Sequence, residues 1–169
     1  AKKDLEVAWV IGSTPGARPD RRGSEETVQV VKMLDTVPER FATREAFVEY
    51  VQKQGADRAI AMWLAMNVRA APDGDGYTLR VDLPAMRSLL DDYFARDVWP
   101  VLEDPARATK VHLVAGGRSR VLDAGERALA QRVANGAPDR TWLHVIPTAG
   151  HWVHVDAPAE LLDLVVHYS

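Results

Sequence analysis

The sequence predicts an α/β protein with a small parallel sheet of about three strands and a helical block inserted between two of them. Three observations carry this. Val7–Ile11, Val111–Ala115 and Thr141–Ile146 are short runs rich in apolar and β-branched residues, as strands buried on both faces of a parallel sheet require. The first two end in glycine-rich clusters, Gly12-Ser13-Thr14-Pro15-Gly16 and Gly116-Gly117-Arg118-Ser119, which punctuate strands. The last two strands flank one amphipathic pattern, so the tail reads strand–helix–strand–helix, a right-handed βαβ unit by default.

The totals agree with one domain that has a real core. The chain has 169 residues, 47% hydrophobic and 27% charged, as expected of a globular protein. Net charge is −3 with acids and bases interspersed, which predicts neither a nucleic-acid nor a membrane surface. No cysteine is present, so disulfides, thiolate metal sites and a cysteine nucleophile are excluded. No apolar run reaches the roughly 18 residues of a transmembrane helix, and the first residues do not form a signal peptide. The expected location is the cytoplasm, with no cofactor and no metal.

The elements follow in order. After Val7–Ile11, residues 17–23 read as loop, with Arg18, Arg21 and Arg22 as a solvated basic run. Ser24 can cap a helix with Glu25 and Glu26 in its first turn and Val28, Val31 and Leu34 inward. Thr43 can cap a second helix carrying Phe47, Tyr50 and Val51, with Gly55 at its C-terminal cap. Asp57 can cap a third with Ile60, Trp63 and Leu64. Residues 67–71 and 77–81 flank Pro72-Asp73-Gly74-Asp75-Gly76 and read as a hairpin. The acidic glycine loop is a turn, since it lacks the other ligands of a calcium loop. Asp82 and Pro84 open a fourth helix, whose Met86, Leu89, Leu90, Tyr93 and Phe94 follow helical spacing. Trp99-Pro100 and Glu103-Asp104-Pro105 close this block. Residues 123–135 form the next helix, with Leu129 and Val133 inward, and 160–168 form the last.

The candidate functional residue is His151, in Thr148-Ala149-Gly150-His151-Trp152-Val153-His154-Val155-Asp156-Ala157-Pro158. An imidazole on a glycine-assisted loop between a strand and a helix is well placed as a general base, and Gly150 is expected to permit a tight turn there. His154, three residues on, is expected to be a packed loop residue; no third ligand in sequence supports a metal pair.

These segments resemble the C-terminal half of an α/β-hydrolase. Val111-His112-Leu113-Val114-Ala115-Gly116-Gly117-Arg118-Ser119 is similar to the family's seventh strand and following loop. Ala149 to Pro158 is similar to its histidine loop. Phe41-Ala42-Thr43-Arg44-Glu45-Ala46-Phe47 and Trp63-Leu64-Ala65-Met66-Asn67 are similar to cap segments of its small esterase-like bacterial members. The resemblance implies a partial core over 1–23 and 105–169 and an inserted helical cap, or lid, over 24–104. It also implies that His151 is the base of a Ser-His-acid triad.

It further implies what the chain does not contain. The family's first five strands, on the order of a hundred residues, carry the oxyanion-hole loop and the Gly-x-Ser-x-Gly nucleophile elbow. Neither Gly12-Ser13 nor Ser119 has the elbow's spacing. The triad acid follows the sixth or seventh strand in the family, where this chain offers Ser13, Ser119 and, slightly later, Asp123. Either serine could orient the imidazole, and Asp123 also suits a helix N-cap. Asp156 is expected to fix the turn before Pro158. Trp63, Met62, Met66, Phe47, Tyr50, Trp99 and Trp152 are the candidate substrate-binding residues, the cap residues serving equally as its own core.

The expected function is therefore hydrolysis of an ester or related acyl substrate. The nucleophile and oxyanion hole would come from a missing N-terminal half or from a second chain in trans; a homo-oligomer is the other expected way to cover the first strand. This chain alone is expected to be inactive. The alternative is a non-catalytic ligand-binding or assembly module on the same fold; a cofactor-free dehalogenase or peroxidase is a third option.

Overall fold

A computed structural model describes residues 5–21 and 23–168. Its elements in chain order are β1 (Val7–Ile11), α1 (Glu25–Leu34), α2 (Arg44–Lys53), α3 (Arg58–Ala65), β2 (Val68–Ala70), β3 (Tyr77–Leu79), α4 (Leu83–Ala95), α5 (Trp99–Glu103), β4 (Lys110–Gly116), α6 (Ala124–Gly136), β5 (Thr141–Ile146), α7 (Val153–Asp156) and α8 (Pro158–His167). Arg22, one of the three arginines read as a solvated run, lies outside the described residues, and Glu26 is described by its backbone alone.

The chain forms two compact units. One contains residues 1–24 and 93–169, and the other Glu25–Asp92. The segment 93–104, grouped by the sequence with the helical block, belongs to the sheet-bearing unit. The reason is packing: Trp99 and Leu102 of α5 are buried with Val111, Leu113, Ala130 and Val133. Pro100 lies in the first turn of α5, where its missing N–H costs the helix nothing.

In the sheet-bearing unit the strand order is β1-β4-β5. Both pairs are parallel, with Val7 opposite Lys110 and Val111 opposite Thr141. β4 is central, and all its residues after Lys110 are buried. Side chains alternate across the strands. Ala8, Val10, Val111, Leu113 and Leu143 face α6; Trp9, Val114 and Ile146 face α7 and α8 through Val153, Ala157, Leu161 and Leu164. β1 has β4 on one side and no strand on the other among the described residues.

The second unit is built by local signals. Thr43 caps α2 by accepting from Ala46 N at 3.0 Å, and Asp57 caps α3 by accepting from Ile60 N at 2.7 Å. Asp82 does the same for α4 through Ala85 N at 2.9 Å. β2 and β3 form the antiparallel hairpin. In its turn Arg40 grips Asp73 at 2.7 and 2.8 Å and holds the Asp73 carboxyl down at about 2, so these acids serve a turn with its own cation. Phe47, Val51, Ala61 and Leu64 form the core with Leu34 and Phe41. Leu89, placed inward by its spacing, is 68% exposed.

Candidate active site

His151 lies on the loop between β5 and α7, and this loop is fastened to the one that follows β4. Gly117 N donates to Ile146 O at 2.7 Å and Arg118 N to Ala149 O at 3.0 Å, while the Arg118 guanidinium donates to Thr148 O. A Cβ on Gly116 would overlap the carbonyl oxygens of Gly150 and Ala149. This close approach is why glycine stands at the end of β4. Within the loop, Asp156 accepts from Gly150 N at 2.7 Å, closing the turn from its far side.

Gly150 itself has no positive φ, so the loop does not use the left-handed backbone that glycine permits. Its small size matters instead: a Cβ there would lie 3.0 Å from Asp156 Oδ2. Positive φ occurs at Gly12, φ 67°, directly after β1. A Cβ on Gly12 would be 2.6 Å from the His151 carbonyl oxygen and 3.6 Å from its Nδ1. The ends of all three strands thus converge on His151.

The imidazole is exposed. Among the described residues its ring nitrogens have no hydrogen-bond partner, and its ring neighbour is Trp152 at 5.2 Å. Each residue considered as acid or ring-orienting group is engaged elsewhere. Ser119 is buried and accepts from Val121 N at 3.3 Å, an ST-type turn. Asp123 caps α6 by accepting from Glu126 N at 3.0 Å. Ser13 pairs with the Tyr93 hydroxyl at 2.6 Å.

The substrate-binding candidates divide. Trp152, at 52% exposure, is beside His151. Trp63, Met62 and Met66 are exposed on the second unit. Phe47 is fully buried in that unit's core, edge-on to Phe41 at 5.3 Å, so it lines no surface. Tyr50 packs on the same core and its hydroxyl donates to Thr36 O at 2.6 Å. Trp99 is buried against α6, and its indole N–H donates to Glu126 at 3.2 Å. His154 is exposed rather than packed.

Sequence reasoning missed three features of this unit. Arg18 is not solvated: it is 3% exposed, donates to Ser24 Oγ at 3.1 Å and to the Tyr93 hydroxyl at 2.7 Å, and lies over the rings of Tyr93 and Phe94. Arg127 binds a ring of backbone carbonyls beneath the loop after β4. The third is an aromatic stack across the sheet. Trp9, His112 and Trp142 occupy matching positions on β1, β4 and β5, with centroids 4.2 and 4.4 Å apart and rings nearly parallel. His112 Nδ1 shares a hydrogen bond of 3.0 Å with His144 Nε2, and Tyr168 closes over both rings. Burial, His144 and Lys110 together push the His112 imidazole down to about 4; burial lowers His144 too. The signal was available: three ring-bearing residues stand at equivalent, alternate strand positions.

No family model matches the chain, and no curated protein matches it in sequence. Solved structures do match. A marine microorganism esterase superposes with a TM-score of 0.76 at 17% identity, over 97% of this chain and 60% of its own. The fold is that of an α/β-hydrolase. An E-2-(acetamidomethylene)succinate hydrolase gives 0.63 at 19% identity, over 96% of this chain and 56% of its own. A peroxisomal α/β-hydrolase from Saccharomyces cerevisiae gives 0.54 at 18%, over 96% and 45%. The chain therefore spans about half to three-fifths of the length of these solved structures. No helix among the described residues is long and apolar enough to cross a membrane.

Proposed function

We propose that the chain is the base-bearing part of an α/β-hydrolase that cleaves an ester or related acyl substrate. The observation that carries this is the placement of His151: exposed, at the convergence of three strand ends, on a loop tied at both sides. The nucleophilic serine and oxyanion hole come from a complementary polypeptide segment that carries the remaining strands. That segment pairs along the free edge of β1, where Ile11 is exposed. His151 Nδ1 lies on the Gly12 side, so Nε2 takes the serine proton as Oγ attacks the acyl carbon. The same proton passes to the leaving alkoxide as the C–O bond breaks, and water then releases the acyl group by the reverse transfer. The helical unit takes the part of the cap that its sequence resembles.

The test is complementation. The chain is mixed or co-expressed with a polypeptide carrying the first strands and a Gly-x-Ser-x-Gly elbow, and hydrolysis of p-nitrophenyl esters is followed. Activity should need both parts, and His151→Ala should lower it by about a thousandfold or more. Unchanged activity in His151→Ala would sink the proposal. The second reading, binding without turnover, is favoured by one observation: among the described residues no carboxylate holds the His151 ring. An apolar ligand bound by the complemented protein with no product formed would decide for it.

A further inference from the structure

The loop that holds His151 depends on the loop after β4, and that loop is gathered around one cation. Arg127 lies on the first turns of α6. Its Nε donates to Leu122 O at 2.8 Å, and its Nη2 lies 3.0 Å from Gly116 O, 3.2 Å from Gly117 O and 3.0 Å from Ser119 O. Four carbonyls from a seven-residue turn thus point at one guanidinium. A strand end that reverses into a helix leaves such carbonyls without ladder partners, and unpaired ones are costly away from water. A planar guanidinium offers five donors at fixed angles and can serve several at once, whereas an ammonium is a point donor.

The same turn carries the contacts to the histidine loop. Gly117 N and Arg118 N, which reach Ile146 O and Ala149 O, belong to residues on either side of peptide groups that Arg127 fixes. Gly116, whose carbonyl Arg127 holds, is the residue packed against Gly150 O. The chain of contacts therefore runs from Arg127 through Gly116–Ser119 to Ala149–Gly150 and so to His151.

We infer that Arg127 is a positioning residue for His151: a cationic clamp that sets the loop after β4, and through it the height and direction of the histidine loop. Its functional meaning rests on the reading of His151 as the base; its physical claim does not. Amide hydrogen exchange and side-chain NMR on the full chain test it, comparing the parent with Arg127→Met and Arg127→Lys. In Arg127→Met the amides of Gly117, Arg118 and Gly150 should exchange about tenfold faster or more, while Gly12 N and Lys110 N, bonded within the β1–β4 pair, stay within about twofold. The His151 ring resonances should shift or split in the same variant. Arg127→Lys should show a smaller change at the same amides.

Equal acceleration at every amide, the mark of a merely structural residue, overturns the inference. So does an unchanged Gly117, Arg118 and Gly150 in a folded variant. If Arg127→Met does not fold, Arg127→Lys decides, since it keeps the charge. In the complemented enzyme Arg127→Lys should lower kcat with KM little changed. Loss of loop order with no esterase activity in the parent would leave the clamp standing and the proposed function rejected; the two failures are thus separable.

Discussion

Asp156 ties the histidine loop from within. Its carboxylate accepts from Gly150 N at 2.7 Å, one residue from the imidazole. Asp156→Ala should cost about 1 kcal/mol of stability, the scale of one partly solvated charged hydrogen bond. Urea titration gives that figure, and the amide of Gly150 should lose its protection in the same variant. Gly12 shows why the acid cannot simply be restored beside the ring. Gly12→Asp would place a Cβ 2.6 Å from the His151 carbonyl in a backbone with φ 67°. A lower melting temperature than the parent is expected, with displaced His151 resonances; a Tm equal to the parent's would show that the loop yields freely.

His112 gives the pH dependence. Its folded-state value is pushed down to about 4 by burial, His144 and Lys110, while the unfolded imidazole titrates near 6.5. The unfolded state therefore binds a proton that the native state refuses. Stability is full above about 6.5 and falls as pH drops from there towards 4. His144, lowered by its own burial, adds to the same trend. Urea midpoints between pH 4 and 8 should show the decline, and His112→Gln should flatten it. A midpoint that rises on acidification would contradict the neutral pair.

Among the elements, the caps and the strand ends behave differently. Thr43 and Asp57 each satisfy one amide at a helix start; replacing either with Ala should cost about 1 kcal/mol and no more. Gly116→Ala should be far worse, because its Cβ would meet backbone oxygens that cannot step aside. Several degrees of lost Tm, or failure to fold, are expected there by thermal melting. This contrast marks what was legible. Thr43, Asp57, Asp82 and Gly55 are local signals, each decided within four residues, and the elements they bound were readable from the chain. The stripe of α4 was readable too, yet Leu89 on it is exposed, because helical spacing names a face and not what covers it. Phe47 and Tyr50 read equally as pocket or core residues for the same reason, since an aromatic on a helix reads alike in both; the structure packs them in the core.

At the scale of the molecule, β1 is an edge of a parallel sheet with half-buried apolar residues and Ile11 at 39% exposure. On the other side of the strands, Leu162 and Val166 of α8 are exposed. Parallel sheets are normally covered at both faces and edges. Without a complementary segment the chain should therefore self-associate. Size-exclusion chromatography should show species larger than an 18.7 kDa monomer, and Ile11→Lys should shift them towards the monomer. A parent that elutes as a monomer at high concentration would remove the argument for the β1 edge.

The sequence by itself determined the periodic and local features: three apolar strands, the caps of α2, α3 and α4, the hairpin turn, and the histidine loop after the last strand. Strand composition and capping chemistry act over a few residues, so they are written in the chain. Only the tertiary structure decided which groups meet. It placed Gly12 against His151 across 139 positions of sequence, taking Ser13 to Tyr93, Ser119 to its own turn and Asp123 to the start of α6. It buried Arg18 and stacked Trp9, His112 and Trp142 across three strands. These pairings depend on register and on the close approach of backbones, and neither is encoded in any one segment.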